Sequence, residues 1–157
     1  MKATEMKAEV SATNRRKAKK RTGAAMVELA IVLPLFLTIV LGIIEFGRAL
    51  MVAQIVTNAA REGARDAILA GSTNTAVEQT CTDMMVNALG VPAGDVSVSI
   101  EVTPATGNPD PADVLANTLT SDLCAVTVTV PFSSVSYVAG KFLESKTLRG
   151  FGAMRHE

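Results

Sequence analysis

An uncharged apolar run from Leu29 to Ile44 constrains this chain more than any other feature of its sequence. Extended back to Ala24, the run covers 21 residues in which Glu28 is the sole charge. At about 1.5 Å per residue such a helix is about 32 Å long, enough to cross a hydrocarbon core of about 30 Å. A helix that is apolar on every face needs a bilayer or a large protein around it, and 157 residues are too few for the second. The run therefore predicts a transmembrane helix rather than a buried core helix.

The charges of the chain are divided between its two ends. Residues 1–23 hold eight Lys/Arg and two Glu, a net charge of +6, and the remainder carries −6. Basic residues on one side of a membrane span stay in the cytoplasm, so we expect a single pass through the inner membrane with the C-terminal part outside the cytoplasm. A cleaved secretory signal is the alternative, but its apolar region is shorter and ends at a small-residue site that is not evident here.

Two residues mark the entrance to the apolar run. Gly23 separates the basic arm from the run, and Glu28 lies five residues further on, inside it. An ionisable residue within a membrane is costly and suggests a function, although Glu28 at the interface, reaching the headgroups, is the simpler alternative. The pattern resembles the class III signal of type IV pilins and pseudopilins. The resemblance implies cleavage by a prepilin peptidase between Gly23 and Ala24, and pairing of Glu28 with the new amine of a neighbouring subunit.

A longer segment, residues 21–71, resembles the TadE-like pseudopilins of tight-adherence (Tad/Flp) pilus systems. The matching pieces beyond Gly23 and Glu28 are Leu33-Pro34, the string Glu45-Phe46-Gly47-Arg48, and residues 58–65. Leu29 follows Glu28 where Tad major pilins usually have an aromatic residue, which favours a minor subunit. The resemblance implies a protein that acts in pilus assembly and requires no cofactor. Its expected partners are the prepilin peptidase, other pilins or pseudopilins, the Tad inner-membrane assembly platform and the lipid bilayer.

The helical pattern continues beyond the membrane to about Leu69, with Gly71 as a stop signal. Small residues recur at spacings that place them on one face of this helix: Ala49, Ala53, Ala60, Ala64 and Ala67. Small faces let helices approach closely, which favours packing between subunits. The same stripe would equally suit packing on the sheet of its own chain, and the sequence leaves both interpretations open.

The C-terminal part has the pattern of a small α+β domain. We predict a helix over 75–89 ended by Gly90, strands over 96–102, 125–130 and about 146–155, and a solvent loop with a short helical turn over 103–122. The predicted fold is therefore α+β and pilin-like, a long N-terminal transmembrane helix packed on a small antiparallel sheet. Its segments are a cytoplasmic leader (1–23), the transmembrane and extended helix (24–71) and the extracytoplasmic domain (72–157).

Cys81 and Cys124 are the two cysteines of the chain. Outside the cytoplasm they are free to form a disulfide, which would join the second helix to the start of a strand. Two buried free thiols are the alternative. Two cysteines and one histidine cannot supply a standard four-ligand zinc site, so we expect no metal.

Several classes of function find no support in the sequence. It has no Gly-rich phosphate loop and no zinc-protease motif, and His156 is its single histidine, so we expect no enzymatic activity. Asn108, Asp110, Asp113 and Asp122 lack the spacing of a calcium loop and are expected in a solvated loop. The basic arm has no aromatic residues, and membrane topology accounts for it without nucleic acid. An uncleaved, single-pass membrane-anchored extracytoplasmic binding domain, in which residues 1–23 persist, is the alternative function.

Overall fold

The computed structural model describes residues 2–136 and 145–156, with side chains from Gly23 onward. Its helices and strands follow in the order α1 (Lys2–Ala67), α2 (Asn74–Leu89), β1 (Ser97–Thr103), β2 (Leu123–Pro131) and β3 (Thr147–Arg155). Short 3₁₀ turns cover Ala93–Asp95, Leu115–Asn117 and Phe132–Ser134. The chain divides into two compact units, Met1–Ile43 and Ile44–Glu157.

The first unit is helical and holds the greater part of the apolar run. Helix α1 begins at Lys2, well before the predicted start at Ala24. The arm is rich in Ala, Lys, Arg, Glu and Met, residues of high helix propensity, which is a local reason for the longer helix. The side chains of the basic leader lie outside the described part of the chain. From Gly23 to Ile39 every side chain is exposed.

The second unit begins with the last turns of α1, which end at Ala67, and continues into α2. Thr73 caps α2 by accepting a hydrogen bond from the Ala76 N–H at 3.3 Å. Gly90 ends the helix in the left-handed conformation, with φ of 68°, and its N–H donates to the Val86 carbonyl at 2.9 Å. A glycine favours this conformation because it has no Cβ. The prediction that Gly90 ends the second helix is confirmed.

The three strands form one antiparallel sheet in the order β1-β2-β3. The register places Ser99 opposite Thr127 and Thr127 opposite Phe151. The alternation that predicted β1 and β2 reflects this arrangement, because one face of the sheet is buried. In β2 the buried side chains are Cys124, Val126, Val128 and Val130. The α+β class with a small antiparallel sheet is confirmed.

The core of the second unit lies between the helices and the inner face of the sheet. Its largest fully buried side chains include Phe132, Met85, Val52, Val56, Val126 and Val128. The backbones of strand β3 and helix α1 approach each other with almost no side chain between them. A Cβ added at Gly150 or Gly152 would overlap the α1 backbone at Val56 and Ala60 respectively. Residues 45–67, assigned from the sequence to the helical segment, thus contribute to the core of the sheet domain.

The loop between β1 and β2 is not wholly solvated as the sequence predicts, because Pro111, Leu115 and one acidic residue are buried. Asp122, expected in a solvated loop, is fully buried. Its carboxylate accepts hydrogen bonds from the N–H groups of Ala105 and Leu119, both at 2.8 Å, and from Asn108 Nδ2 at 2.7 Å. These bonds hold the pKa of Asp122 below its ordinary value, because they favour the charged carboxylate. The carboxylate therefore organises the loop.

Candidate functional site

The apolar part of α1 has the properties of a membrane span. In the part of the chain that the structure describes, Gly23–Ala67 is the one helix long and apolar enough to cross a bilayer, and its most apolar window has none of its residues buried within the protein. Ile31 is 72% exposed and Ile43 is 67% exposed. Such an apolar surface is rarely left to water, so this helix fits a single-pass membrane protein.

Gly23, Ala24 and Glu28 lie together at the start of this apolar segment. All three are exposed on the helix, and a Cβ added at Gly23 would meet no atom within 4 Å. Among the described side chains, none donates a hydrogen bond to Glu28. The predicted cleavage position and the predicted amine-pairing carboxylate are therefore both accessible from outside this chain.

Glu45, the residue directly after the apolar run, is buried in the second unit. Its side chain is 3% exposed, and its Oε1 accepts a hydrogen bond from Ser136 Oγ at 2.7 Å. A buried carboxylate without a hydrogen-bond partner strongly destabilises a fold, and the bond from Ser136 removes that cost. The same bond joins α1 to the chain that follows β2.

Arg48 lies one helical turn further along α1 and faces the same way. Its Nε donates to the Val135 carbonyl oxygen at 3.1 Å, and its Nη1 lies 3.8 Å from Met51 Sδ. Positions three apart share a helix face, so Glu45 and Arg48 together hold residues 135–136. We call these two contacts the helix–domain clamp. Phe46, 59% exposed, and Gly47 lie on the outward side of the same turn.

The alanine stripe is divided between core and surface. Ala60, Ala64 and Ala67 are buried within this chain, whereas Ala49 and Ala53 are half-buried. For these last three alanines, the structure therefore has packing on the sheet of the same chain, which is one of the two interpretations that the sequence left open. The surface of those three alanines is covered within this chain, and packing between subunits stays a prediction for Ala49 and Ala53.

Cys81 and Cys124 are both buried free thiols in the structure, not the predicted disulfide. Cys81 is directed at α1, where its Sγ donates to the Ala59 carbonyl oxygen at 3.5 Å. Burial, followed by the nearby charge of Asp66, raises the pKa of the Cys81 thiol to about 11. Burial also raises the pKa of Cys124. Both therefore stay protonated at neutral pH and are poor nucleophiles in the folded chain.

Sequence reasoning missed the partners on the domain side of the clamp, Val135 and Ser136. Nothing in their local pattern distinguishes them from ordinary turn residues. The close approach of β3 to α1 had a visible signal, since two glycines at alternate positions of a strand indicate a backbone neighbour on one face. Within the described residues, no group of three or more His, Cys, Asp or Glu side chains is placed to hold a metal ion.

Comparison with known proteins bears on the same stretch of helix. Residues 23–65, which are 43 of the 157 residues, match the model of a family described as TadE-like protein. No curated protein and no solved structure gives a significant match to the chain. The matched segment contains Gly23, Glu28 and both α1 residues of the helix–domain clamp. Residues 23–65 of this chain are thus similar to TadE-like proteins, and they include all but the last two residues of its candidate membrane span and the α1 side of the clamp.

Proposed function

We propose that this protein is a minor pilin or pseudopilin that acts in the assembly of a Tad-type pilus after cleavage by a prepilin peptidase. One observation carries the proposal. The TadE-like segment begins at Gly23, the residue after which such a peptidase cuts, and the apolar run follows directly from Ala24. A peptidase that works at the membrane needs an accessible bond there, and the surroundings of Gly23 are open.

Cleavage after Gly23 leaves a helix that is apolar from its first residue. The new amine at Ala24 is four residues from Glu28, about one helical turn away. The pair would hold opposite charges in or near a medium of low dielectric, where their attraction is much stronger than in water. In an assembly, Glu28 of one subunit pairs with the amine of its neighbour.

The helix–domain clamp lies within the second unit. Glu45 and Arg48 hold residues 135–136 just after the apolar run ends, and so fix the following turns of α1 to the sheet domain. The proposed partners are the prepilin peptidase, other pilins or pseudopilins and the inner-membrane assembly platform.

The test is the N-terminal sequence and intact mass of the protein from native membranes, with and without the cognate peptidase. We expect an N-terminus at Ala24 and a loss of about 2.4 kDa, the share of 23 residues in a 16.4-kDa chain of 157. Gly23→Val should block processing. Gly42→Val is the matched control, because a Cβ at either glycine meets no atom within 4 Å.

Two results would contradict the proposal. Residues 1–23 could persist in the presence of the peptidase, or Gly42→Val could block processing as strongly as Gly23→Val does. The first result would leave an uncleaved, membrane-anchored extracytoplasmic binding domain as the better account of the protein. The second would show that the apolar helix, rather than the glycine, is what the peptidase requires.

A further inference from the structure

The charges of the second unit are segregated along the sequence. Residues 66–136, which form α2, β1, β2 and their loops, contain eight acidic residues and no Lys, Arg or His. Residues 145–156, which form β3 and its flanks, contain Lys146, Arg149 and Arg155 and no acidic residue. Because β1 and β3 are the two outer strands of the sheet, this division gives the sheet one acidic side and one cationic side.

The cationic edge belongs to a strand with one side unpaired among the described residues. Within that part of the chain, strand β3 pairs with β2 alone, through nine consecutive positions. The N–H of His156 donates to the Asp122 carbonyl oxygen, and the His156 carbonyl oxygen accepts from the Ser121 N–H. The backbone groups of even-numbered β3 residues therefore point toward β2, and those of odd-numbered residues point away from it. No described residue hydrogen-bonds to the backbone groups of Thr147, Arg149, Phe151 or Ala153. An open edge of this length is a template for an added strand.

The acidic edge is closed at one end and open at the other. The N–H of Val102 points away from β2 and donates to Asp113 Oδ1 at 2.7 Å, so Asp113 covers that end of β1. By the two-residue period, the backbone groups of Val98 and Ile100 point the same way, and no described residue bonds to them. The open part of the acidic edge is therefore residues 96–100.

A groove lies beside this open part of β1. It has a volume of about 280 Å³ and is lined by Glu78 and Thr82 of α2 and by residues 96–98. Glu78 and Glu101 are both exposed. An ammonium group that entered beside Glu78 would meet a carboxylate, and residues 66–136 contain no cation that competes for it.

We propose that the cationic β3 edge of one copy pairs with the acidic β1 edge of a second copy, so that their sheets join head to tail. Strands β1 and β3 both run antiparallel to β2 and so run in the same direction. Two copies in the same orientation therefore join β3 to β1 as a parallel pair. In the joined sheet, Arg149 and Arg155 of the first copy lie on the sheet face that carries Glu101 of the second. Lys146 of the first copy lies on the opposite face, where the groove beside Glu78 of the second is.

Charge disfavours the symmetric alternatives. Pairing of β3 with β3 would bring Lys146, Arg149 and Arg155 of two copies together, and pairing of β1 with β1 would bring two Glu101 side chains together. Like charges placed directly opposite each other destabilise strand pairing. The favoured contact is heterologous, and a heterologous contact either closes into a ring or repeats as an open chain.

Zero-length cross-linking of the full chain tests the contact. A carbodiimide joins an amine to a carboxylate only where they touch, so we expect an amide between Lys146 of one copy and Glu78 of the other. The chain is purified from membranes in detergent as an equal mixture of ¹⁴N- and ¹⁵N-labelled protein. Mixed-label peptide pairs then distinguish links between copies from links within one copy.

Charge reversal identifies the edge responsible. Arg149→Glu with Arg155→Glu should lower the yield of mixed-label links at least about tenfold, because like charges across an interface are strongly disfavoured. Glu78→Arg with Glu101→Arg should do the same, and mixing the two double variants should restore the links. The control is Arg61→Glu with Arg65→Glu, the same charge change at exposed positions of α1.

Two outcomes would overturn the inference. One is the absence of mixed-label links in the wild-type chain. The other is a yield in the Arg149/Arg155 variant equal to that of the wild type, which would place the contact on the membrane helix instead. The inference does not rest on the proposed function, and the two are tested separately, because the N-terminal cleavage assay involves none of these residues.

Discussion

Two buried carboxylates, Glu45 and Asp122, show what a single side chain does in this protein. A carboxylate is seldom fully buried unless it is paired, so each must organise its surroundings. Glu45 accepts from Ser136 and joins two parts of the chain 91 residues apart. Asp122 accepts three hydrogen bonds within its own loop and shapes the connection between β1 and β2. Among the described side chains, no buried polar atom is left without a hydrogen-bond partner.

Asp122→Asn should destabilise the domain, and the effect should depend on pH. The lowered pKa means that the carboxylate contributes stability above its unfolded value of about 3.8, and that this contribution is lost as the pH falls through the folded pKa. We expect the variant to melt several degrees below the wild type at pH 7, with the difference shrinking below about pH 4. Thermal unfolding in detergent, followed by circular dichroism from pH 7 to pH 3, measures it.

Asp83→Asn serves as the control for this prediction. Asp83 is exposed on α2 and accepts one hydrogen bond, from Gln79 Nε2 at 2.8 Å. Its replacement should change the melting temperature little at any pH. If the deficit of Asp122→Asn were the same at pH 7 and pH 3, the hydrogen bonds to the charged carboxylate would not be its cause.

At the scale of elements, the contact between α1 and β3 determines how the domain is packed. Helix and strand usually stand apart by the length of their side chains, whereas here the glycines of β3 bring the two backbones together. The α1 residues over this contact are small or β-branched, among them Val56 and Ala60, and both are fully buried. The chain thus replaces large side chains at this interface with direct backbone contact.

Gly152→Ala should destabilise the domain by about 1–3 kcal/mol, the usual cost of overpacking a core. The added Cβ would overlap the carbonyl of Ala60 and the Cα of Arg61, which belong to the helix backbone and cannot rotate away. Gly94→Ala is the matched control, since a Cβ there meets no atom within 4 Å, and it should change stability by less than about 0.5 kcal/mol. Urea unfolding compares the two, and equal stabilities would contradict the close approach.

At the scale of the whole molecule, each unit presents a different surface. Residues 23–39 offer an apolar surface suited to lipid, and the sheet of the second unit offers edges of opposite charge. A bilayer takes up the first surface, and the second is left for contacts outside it. The proposed assembly role uses both surfaces, because a pilus subunit must leave the membrane and hold its neighbours.

Glu28→Gln should abolish pilus assembly while leaving cleavage after Gly23 intact, if Glu28 pairs with the amine of a neighbouring subunit. Breaking a buried charge pair costs about 3–5 kcal/mol, enough to lower assembly by far more than tenfold. Glu28→Asp keeps the charge and should retain part of the activity. Pili counted by electron microscopy, beside N-terminal sequencing of the same cells, give the answer. Normal piliation in Glu28→Gln would remove the pairing role.

Much of the architecture could be read from local pattern. The apolar run predicted the membrane helix, Gly90 predicted the end of α2, and the alternation of Val with Ser and Thr predicted β1 and β2. These signals depend on residues close together in sequence, because the helical and strand periods are properties of the local backbone. The family resemblance over residues 23–65 depends on the same local string.

The surroundings of Ala60, Cys81 and the two α1 residues of the helix–domain clamp depended on residues distant in sequence. Whether an alanine face meets another subunit or the chain's own strand depends on Gly150 and Gly152, some ninety residues away. Whether Glu45 faces solvent or Ser136 depends on where the chain returns after β2. The sequence of residues 23–44 predicted a membrane helix by itself, because the apolar core of a bilayer surrounds every residue of such a span alike. Burial and pairing in the domain became visible only in the tertiary structure, because they are set by which distant segments pack together.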